Sequence, residues 1–60
     1  MKTYAEAVTQ QAVRRVDAFI RGDELPKSDA ETISFIYNVP EGYVEMDIQE
    51  EYRYLVDSTK

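Results

Sequence analysis

The chain has 60 residues, of which 12 are acidic and seven are basic, so its net charge is −5. It contains no cysteine and no histidine, which excludes disulfides, thiolate metal sites and catalysis by a histidine base. A chain this short buries only about 60% of the surface that its unfolded form exposes, which predicts a single small domain over residues 1–60 that is stabilised by association with another chain.

Charge is divided unevenly along the chain. Residues 1–22 hold four basic and two acidic side chains, a net charge of +2, whereas residues 23–60 hold three basic and ten acidic side chains, a net charge of −7. Such polarity steers a partner of opposite sign, or two copies of the chain, toward each other. The polar start argues against a signal peptide, and no apolar run approaches the length of a membrane span, so we expect a cytoplasmic protein with no membrane partner.

The first predicted element is a helix from Tyr4 to Arg21. Thr3 followed by Glu6 has the spacing of a capping box, and Gly22 suits the left-handed conformation that ends a helix. Apolar residues at helical spacing predict a core stripe, and the arginines are expected on a solvated face. The stripe comprises Ala5, Val8, Ala12, Val13, Val16, Phe19 and Ile20. The opposite side comprises Gln10, Gln11, Arg14, Asp17 and Arg21.

The second element allows two interpretations. Residues 23–27 predict a connector, since Pro26 biases the residue before it away from helical geometry. Ser28 with Glu31 has the spacing of a second capping box. It would begin a helix whose core-facing residues are Ala30, Ile33, Ile36 and Tyr37. Residues 32–37 are nevertheless rich in types that favour strands, so a hairpin of strands 33–38 and 43–48, joined by a turn at 39–42, is the alternative.

The stretch from Val39 to Val56 is the most informative, because a helix here has two stripes. The inner stripe consists of Val44, Ile48, Tyr52 and Leu55. The outer stripe consists of Tyr43, Met46, Asp47, Glu50 and Tyr54. A helix near residues 48–57 is common to both architectures. We favour an all-α, compact three-helix domain over an α+β fold of a helix, a hairpin at 33–48 and a short C-terminal helix, because an uncovered two-stranded hairpin is marginal.

Residues 36–52, IYNVPEGYVEMDIQEEY, resemble the second half of a helix-turn-helix unit. The resemblance implies a DNA-binding regulator whose second helix lies in the major groove. Before its first basic residue, Arg53, this helix carries five carboxylates, those of Glu41, Glu45, Asp47, Glu50 and Glu51. Carboxylates are repelled by DNA phosphates, so we expect no direct nucleic-acid binding.

Catalytic and cofactor-binding patterns are lacking in the sequence. Paired carboxylates such as Asp47 with Glu51 need a pocket that excludes water, which so short a chain can scarcely enclose. No loop has the ligand pattern of an EF-hand, and Gly22 and Gly42 stand alone rather than in a phosphate-binding loop. A non-enzymatic protein with no cofactor and no metal is therefore predicted.

Recognition is the function that remains. The chain has five tyrosines, and tyrosine is enriched at protein interfaces. The outer stripe is therefore the predicted protein-binding site, for a larger protein with a basic or apolar-basic groove, including one that binds nucleic acid. In size and charge the chain is similar to phage-encoded inhibitors of host factors, which implies an inhibitor or adaptor. The alternative is a structural homodimer or assembly subunit with the outer stripe buried between copies.

Overall fold

A computed structural model describes residues 2–58, which form three helices: α1 (Tyr4–Arg21), α2 (Ala30–Tyr37) and α3 (Glu41–Ser58). These residues contain no strand, which confirms the all-α prediction and excludes the hairpin alternative. Met46 shows the difference physically, since a strand would place it on the same side as Val44 and Ile48. Val44 and Ile48 are fully buried, whereas Met46 is exposed. No helix within residues 2–58 is long and apolar enough to cross a membrane.

Helix α1 has the predicted bounds and caps. The Glu6 amide donates to the Thr3 hydroxyl at 3.2 Å, and the Thr3 amide donates to the Glu6 carboxylate at 3.4 Å, which completes the capping box. At the other end, Gly22 has a φ of 76° and its amide donates to the carbonyls of Ala18 and Phe19. Glycine takes this left-handed conformation without the steric cost that a Cβ would add.

Helix α2 begins in a different way from the predicted one. The helix starts at Ala30, so Glu31 is its second residue and is too close to Ser28 to act as the third residue of a capping box. The Ser28 hydroxyl instead accepts from the Ala30 amide at 3.1 Å and donates to the carboxylate of Glu45 on α3. The capping box of Ser28 and Glu31 was a wrong prediction, because a tertiary contact engages the serine.

A tight turn connects α2 to α3. Asn38 ends α2 with a φ of 59°, a left-handed conformation that asparagine tolerates better than most residues. Two residues later, the Pro40 carbonyl accepts from the amides of Tyr43 and Val44 at 3.0 and 3.1 Å. Proline is compatible with this position because it has no amide of its own to satisfy. The conformation of Asn38 and the hydrogen bonds to Pro40 therefore outweigh the preference of residues 32–37 for a strand.

The core lies where the first half of α1 meets α2 and the start of α3. Its buried residues are Val8, Ala30, Ile33, Val44 and Ile48, against which Tyr4, Ala7, Tyr37 and Val39 pack. The rings of Tyr4 and Tyr37 meet edge to face with centroids 5.8 Å apart. The Tyr37 hydroxyl donates to the Lys2 carbonyl at 2.6 Å, so the start of the chain is fixed to the end of α2.

The predicted core stripe of α1 is wrong in part. Val8, Ala12 and Val16 are buried, whereas Ala5, Val13, Phe19 and Ile20 are exposed. Two contacts, of Tyr37 with Lys2 and of Asp29, the residue before α2, with Arg14, place α2 beside residues 2–14. At 1.5 Å per residue α2 is about 12 Å long and α1 about 27 Å, so the last turns of α1 extend beyond α2.

Three further residues differ from the sequence prediction. Gln11 is buried rather than solvated, and its amide group donates to the Lys27 carbonyl at 3.4 Å, which ties the connector to α1. Arg15 is also withdrawn from water, with a side chain only 12% exposed. Ile36, predicted to face the core, is exposed because it lies to one side of the buried pair Ala30 and Ile33.

Candidate protein-binding surface

Helix α3 has two chemically distinct sides, as the two stripes predicted. On the inner stripe, Val44 and Ile48 are fully buried and Tyr52 and Leu55 are half-buried. Four members of the outer stripe, Tyr43, Met46, Glu50 and Tyr54, are exposed. Tyr43 exposes 61%, Met46 51% and Tyr54 67% of its full accessible surface. A helix turns 100° per residue, so positions 43, 46, 50 and 54 share one face. Three large apolar or aromatic side chains and one carboxylate are thus presented together to solvent.

Met46 and Glu50 also line a shallow, open groove along α3. The groove has a volume of about 470 Å³ and is completed by Gly42, Glu45, Gln49 and Arg53. Gly42 contributes no side chain and a Cβ built there would meet nothing, so this end of the groove is open. An apolar side chain of a partner can rest here against Met46 while polar groups remain at the rim.

Asp47, the fifth member of the outer stripe, lies at its border with α1. Its carboxylate accepts from the Tyr4 hydroxyl at 2.6 Å. Burial, this hydrogen bond and the negative charge of Asp47 together raise the pKa of Tyr4 to about 12. Asp47 therefore holds α3 against α1, and only part of its carboxylate remains available to a partner.

Glu45 lies on the other border of the inner stripe and was not singled out from the sequence. It accepts from the Arg15 guanidinium at 2.8 Å and from the Ser28 hydroxyl. These hydrogen bonds, the one from Ser28 first, hold the pKa of Glu45 below its usual value in spite of partial burial. Arg15 follows Val8 and Ala12 at helical spacing, and this pattern could have indicated that Arg15 lies on the buried face of α1, although it does not identify Glu45 as the partner.

A second exposed surface, also missed by sequence reasoning, lies on α2. We call it the α2 patch, and it consists of Thr32, Phe35 and Ile36, all of them exposed. Phe35 is 88% exposed. The exposure of Phe35 could have been predicted from its spacing from Ile33, because residues two positions apart in a helix point to nearly opposite sides.

The described surface has open grooves and no cluster of metal-ligating side chains. Within residues 2–58, no group of three carboxylates is placed to hold a metal ion. The grooves beside the outer stripe are open to solvent rather than enclosed. No protein-family model, curated protein or solved structure matches this chain.

Proposed function

We propose that this chain is a non-enzymatic protein-interaction factor, an inhibitor or adaptor that docks through the outer stripe of α3 onto a larger protein. The observation that carries the proposal is the joint exposure of Tyr43, Met46 and Tyr54 on one helix face with Glu50 between them. Exposed large apolar side chains are ordinary when scattered, but a group of them on one face marks a contact site.

The aromatic side chains supply the apolar part of the contact. Tyrosine offers a large and rigid ring whose burial costs little conformational entropy, and its hydroxyl tolerates water at an interface. Methionine adapts to irregular pockets because its side chain is unbranched and flexible. Tyr43 and Tyr54 are therefore the proposed anchors, and Met46 fills the space between a partner's side chains and α3.

The charges define the chemistry of the partner. Glu50 lies within the outer stripe, Glu41 is exposed at the start of the same helix, and residues 23–60 carry a net charge of −7. A partner surface with apolar pockets rimmed by arginine or lysine is complementary to this arrangement. Grooves that bind nucleic acid have such rims, so the proposed inhibitor places carboxylates where phosphates would otherwise lie.

A seam between two copies fits the outer stripe less well. A twofold contact uses the same patch on both copies, so Glu50 of one copy would lie close to Glu50 of the other. Like charges brought together at an interface oppose association. A partner with a basic surface removes this repulsion, and for this reason we assign the outer stripe to a different protein.

Direct DNA binding is also disfavoured by charge. Helices α2 and α3, joined by residues 38–40, have the order of elements that the helix-turn-helix resemblance implies. The exposed side of α3 presents Glu41 and Glu50 where a DNA-reading helix presents basic or amide side chains. We expect no binding to duplex DNA even at low salt, and binding that weakens steeply with added salt would contradict the proposal.

The test compares two double variants. In Tyr54→Ser with Glu50→Gln the outer stripe loses an anchor and a charge, whereas Leu25→Ser with Glu24→Gln removes the same kinds of group from the exposed connector. The wild-type chain, immobilised, is used to isolate partners from a lysate of its host, and each partner's dissociation constant is then measured for all three proteins. We expect at least about tenfold weaker binding for the α3 variant alone, with unchanged circular dichroism.

The proposal fails if the α3 variant binds every partner as tightly as the wild-type chain does. It also fails if the isolated partners have acidic docking surfaces, or if added salt strengthens binding. Attraction between Glu50 and a basic rim is screened by salt, so the affinity of the wild-type chain should fall as ionic strength rises. The α3 variant should show a smaller dependence on salt.

A further inference from the structure

We infer that the α2 patch, Thr32, Phe35 and Ile36, is a twofold contact through which two copies of this chain associate. This inference goes beyond the proposed function, because it concerns a different helix and a different partner. It begins from Phe35, whose ring is 88% exposed in the middle of a helix of only eight residues.

Helix α2 is apolar on both sides. Ala30 and Ile33 are buried in the core, whereas Phe35 and Ile36 lie outside it. A helix that is hydrophobic all round is normally covered all round, and an amphipathic surface helix has a polar outer side. The outer side of α2 thus presents two large apolar side chains, those of Phe35 and Ile36, beside the polar Glu31 and Thr32, and the described chain leaves them exposed.

The low charge of the α2 patch favours a second copy as its occupant, with Glu31, one turn before Phe35, as a carboxylate at the edge of the patch. The nine residues from Thr32 to Pro40 include no charged side chain, although 32% of the whole chain is charged. Two molecules that each carry a net charge of −5 repel one another, and the repulsion is weakest where the contact itself is neutral. A neutral, apolar patch is also self-complementary, as a twofold interface requires.

The surroundings of the α2 patch support the same conclusion. Thr32 and Ile36 line an open groove of about 270 Å³ between α1 and α2, which Lys2 and Arg14 border on the α1 side. Arg14 pairs with Asp29 at 3.6 Å, and Lys2, on the α1 side of the patch, balances the charge of Glu31, which shares a second groove with Phe35. The surroundings of the patch are therefore close to neutral. The groove that Met46 and Glu50 line on α3 shares no residue with it. The outer stripe therefore stays free in the dimer.

The area of the contact is within reach of this small protein. A standard interface covers about 800 Å² on each partner, and the described chain exposes 4552 Å². An interface of that size is less than one fifth of this surface, and it would extend beyond the three residues of the α2 patch onto their neighbours. A chain of 60 residues gains in proportion more from such burial than a large protein does, because its own core is small.

Sedimentation equilibrium over a wide range of protein concentration tests the inference. We expect the mass to rise with concentration from the monomer's 7.0 kDa to twice that value. In Phe35→Glu the dissociation constant of the dimer should increase by at least about tenfold, because the variant removes the central apolar contact and introduces a like charge. Tyr54→Ser, in the outer stripe, should dimerise as the wild-type chain does.

Cysteine cross-linking provides a second test that leaves Phe35 in place. The chain has no cysteine, so a single introduced thiol can pair only with its counterpart in another copy. Under mild oxidation of a dilute sample, Thr32→Cys should form a disulfide-linked dimer faster than Gln49→Cys, whose thiol would lie on the exposed side of α3. The inference is overturned if the chain is a monomer at every concentration, or if the dimer persists in Phe35→Glu. It is also overturned if the dimer is lost in Tyr54→Ser, or if cross-linking is faster through position 49 than through position 32.

Discussion

The inner and outer sides of α3 both carry large apolar or aromatic side chains, but these side chains differ in their burial. Val44 and Ile48 are fully buried against α1 and α2, whereas Tyr43, Met46 and Tyr54 are more than half exposed. The same contrast recurs in α2, where Ile33 is buried and Phe35 is exposed. Apolar character alone therefore does not identify the core of so small a protein. Apolar residues beyond what the core can accommodate are available for contact with other molecules.

The largest expected effect is the loss of stability in Ile48→Ala. Truncation of a fully buried isoleucine removes burial and leaves a cavity, and such changes cost about 2–5 kcal/mol in the free energy of unfolding. A chain of this size has only about 3–9 kcal/mol in total, so the variant should be partly unfolded at room temperature. Chemical denaturation followed by circular dichroism measures the loss.

Met46→Ala is the matched control on the outer side of the same helix. Its side chain is half exposed and is not a member of the buried core cluster, so the free energy of unfolding should change by no more than about 0.5 kcal/mol. Partner affinity should fall instead. If Met46→Ala were to cost as much stability as Ile48→Ala, the division of α3 into a folding side and a contact side would be wrong.

Sequence reasoning was sufficient where local chemistry decides the outcome. The bounds of α1 were predicted because Thr3, Glu6 and Gly22 act on the backbone beside them. The burial of Val44 and Ile48 was predicted because a helical period of 3.6 residues separates the two sides of α3.

Sequence reasoning failed where the outcome depends on which turn of one helix meets another. Phe19 and Ile20 continue the apolar pattern of α1, yet they are exposed, whereas the neighbouring Ala18 is buried. Ser28 was predicted to cap with Glu31, but Glu45, seventeen residues later, engages it. Polar Gln11 and Arg15 are withdrawn from water because Lys27 and Glu45 offer them partners, and no local pattern reveals those partners.

The next largest effect concerns Glu45, on one border between the two sides of α3. Glu45→Gln weakens the hydrogen bonds from Arg15 and Ser28 and leaves a mostly buried guanidinium without its counter-charge, so we expect a loss of about 1–2 kcal/mol at neutral pH. The exposed connector residue Glu24, changed to glutamine, is the control and should have little effect. Denaturation midpoints measure both.

The lowered pKa of Glu45 also predicts how the stability of the fold depends on pH. A carboxyl group whose pKa is lowered on folding stabilises the fold above its ordinary value of 4.5, and this contribution is lost as the pH falls through the lower, folded-state pKa. The wild-type chain should therefore lose more stability than Glu45→Gln between neutral pH and strongly acidic pH. Parallel acid titrations of the two proteins would contradict the role assigned to Glu45.

Among the contacts that hold α3 to the rest of the fold, the smallest expected loss of stability is at the opposite border, where Tyr4 donates to Asp47. Tyr4→Phe keeps the ring that packs against Tyr37 and removes only the hydroxyl, so the free energy of unfolding should fall by about 1 kcal/mol at neutral pH. Tyr54→Phe, which removes a hydroxyl from an exposed ring, should leave stability unchanged.

The dependence of stability on alkaline pH shows whether this loss comes from the Tyr4 hydroxyl. A phenol whose pKa rises on folding from 10.0 to about 12 contributes its full stabilisation below pH 10, and the contribution disappears as the pH rises through 12. Thermal melting in this range should therefore show a steeper decline for the wild-type chain than for Tyr4→Phe. An equal decline would mean that the hydrogen bond between Tyr4 and Asp47 does not hold this border of α3. Asp47 would then be as free as Glu50 to meet a partner, and the outer stripe would extend to all five of its predicted residues.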